Sequence, residues 1–69
     1  MDFSFGQLLK QLRVEKGYSQ SKLAQLISTS QDTISLWECG NSFPDFWNIR
    51  KLTEIFDISA DYLLGIKDY

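Results

Sequence analysis

Gln31, Asp32, Ser35 and Leu36 fall on one side of a short helical pattern whose other side carries Ile34 and Trp37. The chemistry open to these four side chains is recognition. An amide donates and accepts at once, a carboxylate only accepts, a hydroxyl does either, and leucine offers an apolar surface. None of them is paired with a general base, and the chain has no histidine to act as one. Clustered carboxylates and a phosphate-cradling glycine loop are missing too, and 69 residues leave little room for a pocket. The pattern therefore speaks against an enzyme, and neither a metal nor a cofactor is expected.

The stretch that must position those residues runs from Ser19 to Gly40, SQSKLAQLISTSQDTISLWECG. Leu23, Ala24 and Ile27 make one apolar stripe, Ile34 and Trp37 a second, and the two stripes must share a core. Ser19 and Ser30 stand where each first turn needs an acceptor for its orphan amides, and Gly40 closes the second helix. Two helices this short, joined at Ser28-Thr29, match a helix-turn-helix unit, whose second helix can lie in a DNA major groove. In that geometry Gln31 sits on the first turn, where its amide can pair with an adenine edge, worth about 1–3 kcal/mol of discrimination. Asp32 would favour a cytosine amino group and Leu36 a thymine methyl. Gln20 and Ser30 each begin a helix, where backbone amides and a neutral side chain can hold a phosphate oxygen.

Around this unit, Phe5, Leu8, Leu9 and Leu12 predict an amphipathic first helix that follows a frayed Met1–Ser4 and ends at Gly17. Packing its stripe against Ile34 and Trp37 brings Arg13 close to Glu38, as a half-buried structural pair. Pro44 forbids extending the second helix of the unit, and Asp45 caps the next one. That helix carries Phe46, Ile49, Leu52 and Phe56 at helical spacing, with Ile55 widening the stripe, and should stop near Asp57. Ser59 caps a last short helix packed by Leu63 and Leu64 and ended by Gly65. Phe43 and Trp47 are either a contact surface or cover for the small core. Cys39, the one cysteine, cannot form an internal bridge and is read as a small filler.

Many positions in register, from about Phe5 to Gly65, resemble the Cro/CI or XRE type of helix-turn-helix domain found in phage repressors and their bacterial relatives. They are Arg13, Gly17, Ser19-Gln20, Leu23-Ala24, Ser30, Thr33-Ile34-Ser35, Trp37-Glu38, Gly40, Pro44 and Asp61-Tyr62-Leu63-Leu64-Gly65. The resemblance implies an all-α, compact five-helix bundle like the lambda-repressor DNA-binding domains, filling residues 1–69 as one domain with its core at 5–65. It implies base contacts at Gln31, Asp32, Ser35 and Leu36, and phosphate contacts at Gln20, Ser30, Thr33, Asn41 and Ser42. An ion pair between Arg13 and Glu38 is a family feature as well. The function so implied is sequence-specific, DNA-binding transcription regulation, usually repression. Such a protein works as a homodimer on a palindromic operator, with half-sites about 34 Å apart and the dimer surface on the last helix and residues 66–69.

Charge departs from that pattern. Seven basic and nine acidic residues give a net charge of −2 and a pI near 4.8, where a nucleic-acid binder is usually basic. No basic residue lies between Ser28 and Asp45, so counterion release has little to work with on this face. Lys22, with Lys16, Arg50 and Lys51, remains for flanking phosphates or for solubility. Ser28 is a second departure, since the turn needs positive φ, and serine there costs roughly 1 kcal/mol. The acidic face also suits a rival reading, an interaction or antitoxin-like module with a protein partner and weak or no DNA binding. With no apolar run long enough to span a bilayer and no signal-like start, a cytoplasmic location is expected. No small-molecule ligand is expected of a chain without a second domain.

Overall fold

The computed structural model describes residues 3–66, which fold into five helices and no strands. They are α1 (Phe5–Glu15), α2 (Gln20–Leu26), α3 (Gln31–Cys39), α4 (Phe46–Phe56) and α5 (Ala60–Leu63). Every one starts at a side-chain oxygen that accepts from an amide of its own first turn. Ser19 accepts from Lys22, Ser30 from Thr33, Asp45 from Asn48 and Ser59 from Tyr62, each at 3.0–3.1 Å. Ser4 does the same for α1, accepting from the Gln7 amide at 3.2 Å. The frayed start is thus shorter than its expected reach to Ser4, and Met1 and Asp2 lie outside the described residues. Each cap is typically worth about 1 kcal/mol, which matters in helices this short.

The turn between α2 and α3 is built as its position in the chain demands. Ser28 takes φ +61°, so that its own amide reaches Gln25 O at 3.3 Å and the Thr29 amide reaches Ala24 O at 2.9 Å. Those two bonds satisfy the last carbonyls of α2 and swing the chain directly into the Ser30 cap. A serine holds a left-handed conformation here that glycine would adopt without strain.

Phe5, Leu9, Leu23, Ala24, Ile27, Ile34, Trp37, Leu52, Phe56 and Leu63 form a single buried cluster. Leu8, Leu12, Tyr18, Ile49, Ile55 and Ile58 pack around it, half-buried. Gly6 decides how closely α1 can approach α3. A Cβ there would lie 2.4 Å from the Glu38 carbonyl oxygen and 2.7 Å from that of Trp37, both backbone atoms that cannot swing away. The absent side chain lets the first turn of α1 rest on the last turn of α3.

Three expectations about packing fail. Phe46 is 70% exposed, because at 3.6 residues per turn it points about 120° away from Leu52; it stacks edge-on against Trp47, centroids 5.4 Å apart. Leu64 is exposed, and Leu63 is the buried residue of α5. Cys39 fills nothing, since it lies exposed on the outer side of α3. The expected dimer tail falls largely outside the described residues, which end at Ile66.

Candidate nucleic-acid interface

Helix α3 has two sides with opposite fates. Its inner side begins with Ile34 and Trp37, both buried, and ends on Glu38, which is held by three donors. Arg13 Nε reaches Glu38 Oε2 at 2.6 Å and Nη2 reaches Oε1 at 3.2 Å, a two-pronged pair. Arg13 Nη1 donates onward to the Tyr18 carbonyl at 2.9 Å, so the guanidinium ties α1, the α1–α2 connection and α3 together. Side-chain exposures of 11% for Arg13 and 6% for Glu38 place this pair well out of solvent. The expected architectural ion pair is therefore present, and more sheltered than a half-buried one.

Gln20 is part of the same network. Its Nε2 donates to Glu38 Oε1 at 3.1 Å, which fixes the start of α2 against α3. Half of its donor capacity is consequently spent inside the protein, and what is left for a phosphate is the rest of the amide and the helix start it sits on.

The outer side of α3 is open. Gln31, Asp32 and Leu36 are exposed, Leu36 to 45%, and Ser35 is half-exposed between them. Gln31 is the first residue of the helix, with its side chain directed outward rather than into the core. Its Oε1 accepts from the Ser21 hydroxyl at 2.9 Å, a bond from α2 to the leading end of α3. Ser30 and Thr33 lie together on the first turn, hydroxyls 2.8 Å apart, with Ser30 exposed and Thr33 half-exposed. At the far end Asn41 is exposed and Ser42 half-exposed, and both backbone amides fold back on the Leu36 carbonyl. Gln31, Asp32, Ser35 and Leu36 thus share the outer side of α3, Ser30 and Thr33 lie at its start and Asn41 and Ser42 just past its end, with Gln20 turned partly inward.

Among the flanking cations, Lys16, Lys22 and Arg50 are exposed. Lys51 is committed elsewhere: its ammonium donates to the Ile27 carbonyl at 3.1 Å and straps α4 to the end of α2. Phe43 is 70% exposed although its ring touches that of Phe5, centroids 5.7 Å apart, and Trp47 is 63% exposed. Both therefore belong to the surface more than to the core. No group of metal-ligating side chains and no helix long and apolar enough to cross a membrane occurs among the described residues.

Short capped helices, a two-residue turn and a polar outward face on the second helix are the parts of one known design. A family described as helix-turn-helix domain matches residues 6–68. The chain belongs to the helix-turn-helix family. Its relatives place this helix-turn-helix domain with the Cro/CI or XRE type. It is 37% identical over 60 residues to the SPbeta prophage-derived HTH-type transcriptional regulator YonR of Bacillus subtilis (strain 168), covering 87% of this chain and 56% of YonR. The P22 c2 repressor, solved in complex with a synthetic operator, superposes with a TM-score of 0.85 at 26% identity, covering 90% of this chain and 94% of that one. SinR, a master regulator for biofilm formation solved in complex with DNA, superposes with a TM-score of 0.79 at 34% identity, covering 87% of this chain and 97% of that one. This helix-turn-helix domain spans about half the length of most of the curated relatives it matches.

Two residues escaped the sequence reading. Gly6 looked like any glycine in a helical pattern, and only the approach of α3 shows what its missing Cβ is for. Ser21 follows the Ser19 cap and looks like a solvated hydroxyl; no spacing rule pairs it with a residue ten positions later.

Proposed function

We infer that this chain is a sequence-specific DNA-binding module of a transcription regulator, a repressor by preference, that acts in the cytoplasm by laying α3 in the major groove of an operator. The observation that carries the reading is the split of α3 into a saturated inner side and an open outer one with Gln31 leading. Gln31, Asp32, Ser35 and Leu36 face base edges in this arrangement. Ser30, Thr33, Asn41, Ser42, Lys22 and the remaining donor capacity of Gln20 hold phosphates on either side. Neutral amides and hydroxyls do most of the anchoring, because the face has no basic residue of its own. Two copies on a palindrome would set two α3 helices about 34 Å apart.

Selection from randomised duplexes at low and moderate salt tests the reading. The expected product is a palindromic motif, and Gln31→Ala should relax preference at one position per half-site by about 1–3 kcal/mol without lowering the melting temperature. Failure to enrich any motif even at low salt would overturn it. One observation favours a second reading: Phe46 and Trp47 form an exposed aromatic pair beside the acidic Asp45, and Phe43 is exposed as well. Such a surface suits a protein partner of a module with weak or no DNA binding, and that reading predicts that no motif is enriched even at low salt.

A further inference from the structure

Asp32, Leu36 and Cys39 stand at i, i+4 and i+7 along α3, one row of its outer side, and all three are exposed. The Asp32 carboxylate makes no hydrogen bond or ion pair among the described residues. Ionised, it can only accept. Leu36 has no polar side-chain atom, and the Cys39 thiol is a weak donor at best. No basic residue between Ser28 and Asp45 adds a stronger one. The row is therefore suited to meet hydrogen-bond donors and apolar groups, and to refuse acceptors. Gln31 and Ser35 form a separate row beside it, with donors of their own.

In the major groove guanine shows two acceptors, adenine an acceptor beside its amino group, thymine an acceptor beside its methyl group, and cytosine an amino group with no methyl. Each of the four either lacks something this row could use or shows something it refuses. 5-Methylcytosine shows an amino group and a methyl group on adjacent ring atoms, with no acceptor on that edge. We propose that the Asp32–Leu36 row recognises 5-methylcytosine in duplex DNA, Asp32 accepting from the amino group while Leu36 packs on the methyl. The proposal rests on the DNA-reading function above and deepens it. Cβ atoms four residues apart on a helix are separated by about 5–6 Å, and helical side chains lean toward the N-terminus, so Leu36 leans back over the turn that carries Asp32. One base edge is within reach of both. Methylation of a site read in this way strengthens binding rather than blocking it.

The test is selection from randomised duplexes made once with cytosine and once with 5-methylcytosine. Titrations of the selected motif follow, with 5-methylcytosine, cytosine or thymine at each pyrimidine position in turn, for the wild-type chain, Leu36→Ala and Asp32→Asn. One position per half-site should bind 5-methylcytosine about fourfold more tightly than cytosine, the worth of one buried carbon group. Thymine there keeps the methyl but sets its O4 against Asp32, and should bind about fivefold or more weakly than 5-methylcytosine. Leu36→Ala should make cytosine and 5-methylcytosine equal while still rejecting thymine. Asp32→Asn, whose amide also donates, should take thymine and 5-methylcytosine alike and keep the advantage of the methyl. Both side chains are exposed, so both variants are expected to fold, which a thermal melt checks. A motif that binds no more tightly with 5-methylcytosine at any position, or a methyl advantage that survives Leu36→Ala, overturns the proposal while leaving DNA reading in place. A motif absent from both libraries overturns DNA reading itself, and this proposal with it.

Discussion

The two sides of α3 differ in how far their polar groups are satisfied, and that difference separates structure from function in this chain. On the inner side Glu38 has three donors, Arg13 spends all three of its nitrogens, and the backbone of α1 rests directly on α3 at Gly6. These groups are committed to one another and sheltered from solvent. On the outer side Gln31 has one bond from Ser21, and Asp32 and Leu36 face solvent. A rigid seam holds an unsatisfied surface in place, which is what preorganised recognition requires.

The comparison can be broken at several points. The largest effect is expected at the seam, where Glu38→Ala leaves Arg13 sheltered without its carboxylate, at a cost of roughly 3–5 kcal/mol. In a domain this small, urea denaturation should then show most of the stability gone. Replacing both partners by apolar residues, Arg13→Met with Glu38→Leu, should recover much of the loss, because no charge is then stranded. If the double variant is no better than the single one, the seam is not held by charge pairing as described.

Gly6→Ala comes next. The new methyl meets two backbone carbonyls, and overpacking of that kind typically costs about 1–3 kcal/mol. Its melting temperature should fall by several degrees, whereas alanine in an unobstructed helix interior would raise it. A rise would mean that α1 and α3 lie farther apart than they do here.

Salt dependence probes the outer side. Three exposed flanking cations per domain, Lys16, Lys22 and Arg50, make six for two copies on a palindrome and predict a loss of affinity of about 10³-fold between 50 and 200 mM salt, at the low end of the range of about 10³–10⁵ for six to ten phosphate contacts. Binding isotherms across that range would expose a steeper dependence if cations from elsewhere join in. The smallest expected change is a gain: Ser28→Gly relieves the left-handed serine and should stabilise the domain by about 1 kcal/mol, or about 4–8 °C in Tm. A lower Tm would show that Ser28 contributes a contact worth more than its strain.

Legibility in the sequence followed the range of the physics involved. Caps at Ser19, Ser30, Asp45 and Ser59 are local, satisfied within three residues, and could be read directly. The strained turn at Ser28 was readable for the same reason. The Arg13–Glu38 pair is long-range, yet two apolar stripes that had to meet brought it within view. Phe46 misled because each step of three residues turns about 60° short of a full turn, so that the stripe it appears to begin has rotated away by Leu52. Gly6, the Lys51 strap to Ile27 and the Ser21–Gln31 bond depend on how separate helices are finally set. No periodicity encodes them. Of the interface, the residue types on α3 were legible, but which of their hydrogen-bonding groups stay free was not.

The most direct test of the account is an NMR titration of the ¹⁵N-labelled chain with its selected duplex. The backbone amides of residues 30–36 and the side-chain amide of Gln31 should show the largest shifts, with those around Arg13 and Tyr62 little changed. Shifts concentrated instead on Phe46 and Trp47, with Gln31 unmoved, would contradict it.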